Sequence, residues 1–247
     1  MRLHARASVP ALSDRPVIVL VHGLGMSSRY MVPLAERLAP YAQVYALDLP
    51  GSGRSGKPVR PLSVRELADV LAAWTEAAGL QQAIFLGNSL GCEILVDLAV
   101  HHPERVAGLV LQGPTADPRY LSAPEHVGRL LVTGLFERWS LAWVAISDYL
   151  RFGVRRFHWT FRDMIANRIE HKLPLIDAPT LVVWGARDYI VPRRSVERVA
   201  ALIPLAELVV VSGAAHGMNY SHPAVLAQCV LAFVRAGRHL REKASEP

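Results

Sequence analysis

Residues 17–22 read VIVLVH, a β-branched run that is apolar on both faces. A strand with one side in water alternates apolar and polar residues. This one does not, so it needs cover on both faces of its sheet. Short apolar runs return at Val44–Leu47, Ala83–Leu86, Val106–Leu111, Thr180–Trp184 and Glu207–Val211. Between them lie stretches with helical spacing. Tyr30–Ala39 ends at Pro40, and Leu90–His102 ends at Pro103. Ser63-Val64-Arg65-Glu66 has the pattern of a capping box and opens a helix that closes near Gly79. Ser195–Leu202 and Pro223–Ala236 complete the set, and Arg238–Pro247 reads as a frayed tail. Alternation of this kind predicts an α/β fold: a mostly parallel, doubly wound sheet with right-handed crossovers.

One segment breaks the alternation. Residues 114–175 separate two strands, show no strand of their own, and are far longer than a crossover needs. Half of the chain's 5 Trp, 6 Phe and 7 Tyr fall there, and SLAWVAI at 140–146 is its longest apolar stretch. The expected organisation is therefore a core domain from 1–113 and 176–247 with a helical cap inserted at 114–175.

Composition supports a folded chain. It is 51% hydrophobic and 19% charged, which excludes disorder. The net charge of +6 raises the question of an acidic partner. Residues 17–113 hold seven basic and eight acidic groups, and 173–234 hold four of each. The excess sits at the two ends and on 114–172, with nine basic against six acidic groups. No nucleic-acid reader motif accompanies it, so no nucleic-acid partner is expected. Cys92 and Cys229 are too few for a disulfide framework or a metal cluster, and both read as small buried thiols on helices. The first residues lack the apolar stretch of a signal peptide, and no apolar run is long enough to span a bilayer. A cytoplasmic location is expected, as a monomer or homodimer.

The chemistry is expected at Gly87-Asn88-Ser89-Leu90-Gly91, which follows a strand and opens a helix. A turn this sharp leaves no room for bulk two positions either side of Ser89, and glycine occupies both places. The hydroxyl is lifted above the sheet edge beside free helix N–H groups. Serine needs a base, and the base needs an orienting acid. His216, in SGAAHG after the last strand, is the base expected from position. Asp188, in WGARD after Thr180–Trp184, is the expected acid, with Asp117 as a rival. His222 reads as a surface or capping residue. Acyl transfer also needs N–H donors for the charge that develops on oxygen. Leu90, after the serine, and Leu24, in the turn His22-Gly23-Leu24-Gly25, are the candidates. Trp139, Trp143, Ile190 and Met218 are the candidates for lining a substrate pocket.

HGLG at 22–25, DLPGSGRS at 48–55, GNSLG at 87–91, WGARD at 184–188 and AAHG at 214–217 together resemble the α/β-hydrolase superfamily along nearly the whole chain. The nearest branches are the capped carboxylesterases and the carbon–carbon bond hydrolases of aromatic breakdown. The resemblance implies a Ser–His–Asp triad in the order Ser89, Asp188, His216, with no metal or cofactor. It implies a structural role for Asp48 and Arg54. Relatives commonly begin with a two-strand hairpin. Only sixteen residues precede Val17 here, so one or two strands should be missing or reduced, leaving six to seven. Relatives often carry a small residue at the place of Cys92, which here is expected to tighten packing behind the elbow. Dehalogenases and epoxide hydrolases of this fold use Asp at the elbow, where this chain has Ser89. The carbon–carbon hydrolases usually have Trp after the catalytic histidine, where this chain has Gly217. The expected reaction is cleavage of a small-molecule carboxylic ester with apolar parts. The alternatives are carbon–carbon hydrolysis and a slow-turnover small-molecule receptor.

Overall fold

The structure is a computed structural model that describes residues 1–9, 15–115, 128–129 and 132–245, with side chains of the last helix described up to Gly237. Its sheet has seven strands: β1 (His4–Ala7), β2 (Val17–Val21), β3 (Gln43–Asp48), β4 (Ala83–Asn88), β5 (Val106–Gln112), β6 (Thr180–Gly185) and β7 (Ala206–Val211). Their spatial order is β1-β3-β2-β4-β5-β6-β7. All neighbours are parallel except β1, which runs antiparallel on β3. The short lead before β2 thus forms one reduced edge strand, and the sheet falls within the expected six to seven.

The helices are α1 (Val32–Leu38), α2 (Val64–Ala77), α3 (Leu90–His101), α4 (Trp139–Phe152), α5 (Val154–Ala166), α6 (Arg193–Leu202), α7 (Met218–Ser221) and α8 (Pro223–Ser245). Strand alternation sends successive side chains to opposite faces. Val19, Val21, Phe85, Leu109 and Val182 pack with Leu67 and Leu71 of α2, Leu95 and Leu98 of α3 and Val199 of α6. Ile18, Leu20, Leu86, Val110 and Leu181 pack with Leu34 and Leu38 of α1 and Leu226 and Val230 of α8. Both faces are covered, as the unbroken apolar strands require. Between β5 and β6 the described residues hold α4 and α5 and no strand.

One boundary departs from expectation. Helix α8 runs past Ala236 to Ser245, through residues read as a tail. The apolar spacing ends near Ala236, but no proline or glycine lies between Gly237 and Ser245, and Arg238–Ala244 holds mostly good helix formers. Among the described residues, no helix is long and apolar enough to cross a membrane.

The sheet order reverses between β2 and β4. Chain excursions leave to opposite sides there and open a crevice at the carboxyl ends of the strands. The turn after β2 and the turn after β4 both end at this crevice. On its flank, α2 starts with a full capping box: Glu66 N–H donates to Ser63 Oγ at 3.2 Å, and Ser63 N–H donates to Glu66 Oε2 at 2.9 Å. Replacing Ser63 with Ala leaves the first of these donors without its acceptor. A loss of about 1 kcal/mol is expected, read as a lower urea midpoint at unchanged slope.

Candidate active site

Ser89 joins β4 to α3 with φ 55° and ψ −120°, and it is the one non-glycine residue with positive φ among the described residues. Such a conformation costs on the order of 1–3 kcal/mol and persists only where the surroundings impose it. Here they do. A Cβ on Gly87 would lie 2.6 Å from the carbonyl carbon of Gly91, and a Cβ on Gly91 would lie 2.5 Å from the Val21 carbonyl oxygen. Neither position accepts a side chain. Cys92 is fully buried behind the turn, and its thiol donates to Gly87 O at 3.1 Å. Burial pushes this thiol well above its usual range, so it stays protonated. Ser89 remains partly exposed among buried neighbours.

The loops after β6 and β7 meet beside this turn. His216 Nδ1 lies 2.7 Å from Asp188 Oδ2. The other carboxylate oxygen, Oδ1, accepts from the N–H groups of Ile190 (2.9 Å) and Val191 (3.0 Å). The carboxylate is thus held by its own turn and holds the ring in turn. With a carboxylate on Nδ1, that nitrogen carries the proton and Nε2 is left as an acceptor. Burial pulls the pKa of His216 down. The charge and hydrogen bond of Asp188 outweigh it, Glu137 adds to them, and the net shift is upward.

Four further residues surround this pair. The pairing of β4 with β5 sets Asn88 beside Gln112. Their amides both donate to the His216 carbonyl, at 3.1 Å from Asn88 and 2.8 Å from Gln112. Gly113 has φ +60°, and a Cβ there would lie 3.0 Å from His216 Nδ1 and 3.2 Å from Asp188 Oδ2. Glu137 reaches in from the segment before α4, and its Oε1 accepts from Gly217 N–H at 2.6 Å. Its Oε2 is buried without a partner among the described residues. Asn88 lies inside the GNSLG motif, so its place was legible there. The other three are common residue types with no local pattern.

The turn after β2 is fixed by His22. Leu49 N–H donates to its Nε2 at 3.1 Å, so Nδ1 carries the ring proton and donates to Gly23 O at 2.8 Å. Burial lowers its pKa against the hydrogen bond and nearby carboxylates, so the ring is neutral. The adjacent turn is held by Asp48, which accepts from Ser28 N–H (2.6 Å) and Arg54 N–H (2.9 Å). Burial raises this carboxyl, but those hydrogen bonds win and its pKa is lowered. It is the backbone of Arg54 that bonds here. A Cβ on Gly23 would lie 3.4 Å from Ser89 Cβ, so the two turns touch. Among the described residues, neither Leu24 N–H nor Leu90 N–H has an acceptor. Beside them opens a narrow cavity lined by Gly23, Gly25, Leu90, Leu62, Phe152 and Arg156, among others.

The other candidates fall elsewhere. Trp139 and Trp143 are exposed on α4 and do not line this cavity. The inner face of α4 is taken by Leu141, Val144, Ala145 and Tyr149, which turns both tryptophans to solvent. Met218 is buried in the core with Val211 and Leu226. Ile190 is buried too, and its backbone serves Asp188. His222 is half-buried after α7, near Ser221 Oγ. Asp117 lies outside the described residues. Among those described, no group of three or more His, Cys, Asp or Glu side chains is placed to hold a metal ion.

A sequence model of the alpha/beta hydrolase fold matches residues 16–146. A pimeloyl-[acyl-carrier protein] methyl ester esterase of Neisseria meningitidis is 30% identical over 262 residues, covering 96% of this chain and 98% of its own length. The protein of that name from Yersinia enterocolitica is 26% identical over 249 residues, covering 88% and 93%. Among solved structures, a membrane phospholipase A of bacterial virulence matches with TM-score 0.81 at 25% identity, over 96% of this chain and 84% of its own.

The upward shift at His216 is directly measurable. Its ring should titrate above the ordinary 6.5 when followed by its NMR resonances against pH. Because Glu137 adds negative charge beside it, Glu137→Gln should bring that midpoint down. A midpoint that stays put removes Glu137 from the electrostatics of the ring.

Proposed function

The chain belongs to the α/β-hydrolase family and is an ester-hydrolysing enzyme, and we propose that it cleaves carboxylic esters with apolar parts through Ser89, His216 and Asp188. The observation that carries this reading is the convergence of three turns at one end of the sheet. One presents a strained, partly exposed serine, one an Asp-oriented histidine, and one an N–H without an acceptor. In the proposed reaction His216 Nε2 takes the proton of Ser89 as Oγ attacks the ester carbonyl. The N–H groups of Leu24 and Leu90 receive the charge that develops on the carbonyl oxygen. His216 then protonates the leaving alcohol, and water, activated by the same ring, frees the acyl group. Asp188 keeps the ring in the required tautomer and stabilises its charged form.

We read residues 114–175 as a cap over this site. A Cβ on Gly25 would lie 2.6 Å from Tyr149 Cδ1, so α4 rests on the turn that supplies Leu24. Phe152, Leu49 and Leu62 give the adjoining cavity apolar walls, which suits an apolar acyl or alcohol group. The methyl ester esterases among the relatives support ester cleavage as the reaction. Carbon–carbon hydrolysis is disfavoured by Gly217. A Cβ there would meet Glu137 Oε1 and Leu141 Cδ2 at 3.0 Å each, so the Trp of those enzymes would have to displace both side chains.

Ser89→Ala is expected to lower p-nitrophenyl butyrate hydrolysis by about 10⁴-fold or more, with an unchanged melting temperature. Activity near wild type would remove Ser89 as the nucleophile.

A further inference from the structure

Helix α4 is apolar on two sides. Its inner side packs on the core through Leu141, Val144, Ala145 and Tyr149. Its outer side carries Trp139, Trp143, Ile146 and Leu150, spaced by four, three and four residues, so they form one ridge along the helix. Their exposures are 91%, 75%, 51% and 79%, and Val154 at the start of α5 is 86% exposed. Single exposed apolar side chains are ordinary on a protein surface, but a continuous ridge that includes two tryptophans marks a contact surface.

The charges beside the ridge are of one sign. Arg138, Arg151, Arg155 and Arg162 are exposed, and none has a carboxylate partner among the described residues. Three acids of the same segment point inward instead. Glu137 accepts from Gly217 N–H, Asp148 from Ser27 Oγ and Arg29, and Asp163 from Val64 N–H. Glu170 lies beyond the end of α5. Among the described residues, the outer face of α4 and α5 is therefore more basic than a count of their charges conveys.

We propose that this face docks on an anionic lipid surface. Tryptophan suits the boundary between headgroups and acyl chains, where its ring is half in each medium. The aliphatic side chains of the ridge enter the acyl edge, and arginine forks match lipid phosphates. A second copy of the chain fits less well. A two-fold interface would set the same unpaired arginines against one another. Docking would also bring Tyr149, on the inner side of α4, and the turn beneath it close to the bilayer. The inference is independent of the reaction assigned above, since it concerns only the outer face.

Sedimentation of the full chain with vesicles tests it. Binding is expected to vesicles of phosphatidylglycerol mixed with phosphatidylcholine, to weaken as salt rises, and to be far lower on phosphatidylcholine alone. The double variant Trp139→Ser, Trp143→Ser and the double variant Arg155→Glu, Arg162→Glu should each lower partitioning by about tenfold or more. Each should melt near the wild-type temperature. The arginine variant keeps the test valid if the tryptophan variant folds poorly. Absence of binding, or binding that neither variant weakens, overturns the proposal. So does light scattering that shows a dimer which the tryptophan variant dissolves, since the ridge would then belong to a second copy.

Discussion

The turn at Ser89 depends on the close approach of Gly91 to the carbonyl of Val21, from which an added Cβ would lie only 2.5 Å away. The parallel pairing of β2 with β4 brings Val21 level with Gly87. The chain must leave β4 and enter α3 within a few residues, with the first turn of α3 pressed against the end of β2. Only a backbone without a Cβ at 87 and 91 can make that passage, and the residue between them is driven to positive φ. Strain at Ser89 is thus a consequence of where β2 and α3 sit. It is maintained by the packing of Leu95 and Leu98 on the same sheet face as Val19 and Val21. Ser89 stays partly exposed at the tip of this turn.

The histidine comes from a loop at the far side of the sheet, so its place depends on cross-sheet bonds more than on its own sequence. Asn88 belongs to the elbow and Gln112 to the next strand, and both amides converge on the carbonyl of His216. Gln112 also donates to the buried Asn219, which in turn donates to Tyr30 O. One chain of amides therefore connects the turn after β4, the loop after β7 and the turn at Tyr30 that precedes α1. The ring is set from the other side by Asp188. Its geometry is fixed by two backbone N–H groups three residues or fewer away. A loop held at both its backbone and its side chain keeps little freedom, which is the physical meaning of preorganisation.

Much of the fold was legible because its signals are local. Apolar strands, the capping box at Ser63 and the glycines at 87 and 91 each state a requirement within a few residues, and the strand and helix positions follow to within a few residues at most ends. That Asp188 and His216 lie side by side could be read from sequence because each follows a strand in a small-residue loop, and parallel strands deliver such loops to one rim. What failed was direction. SLAWVAI is apolar at nearly every position, so spacing could not say which of two apolar stripes of α4 faces inward. The structure buries Leu141, Val144 and Ala145 and turns Trp139 and Trp143 out. Met218 was misplaced for the same reason: a methionine beside the histidine fits a pocket or a core, and it lies in the core. Gln112, Gly113 and Glu137 act through contacts between distant segments, which no single stretch encodes.

The same limitation applies to charge. Summed along the chain, residues 114–172 carry a modest positive excess, and a sum has no direction. Folding separates its terms. Asp148 is drawn to Arg29 and Ser27, Asp163 to the start of α2, and Glu137 to the loop of His216. Each inward acid fastens the segment to the core at a different place. Each also leaves behind an outer surface on which arginines stand without carboxylates. The contacts that hold α4 and α5 on the core and the polarity of their outer face therefore have one origin: Glu137, Asp148 and Asp163 are used inward. A helix pair fastened in this way presents apolar and basic side chains outward, with its inner side resting on the turn next to Ser89.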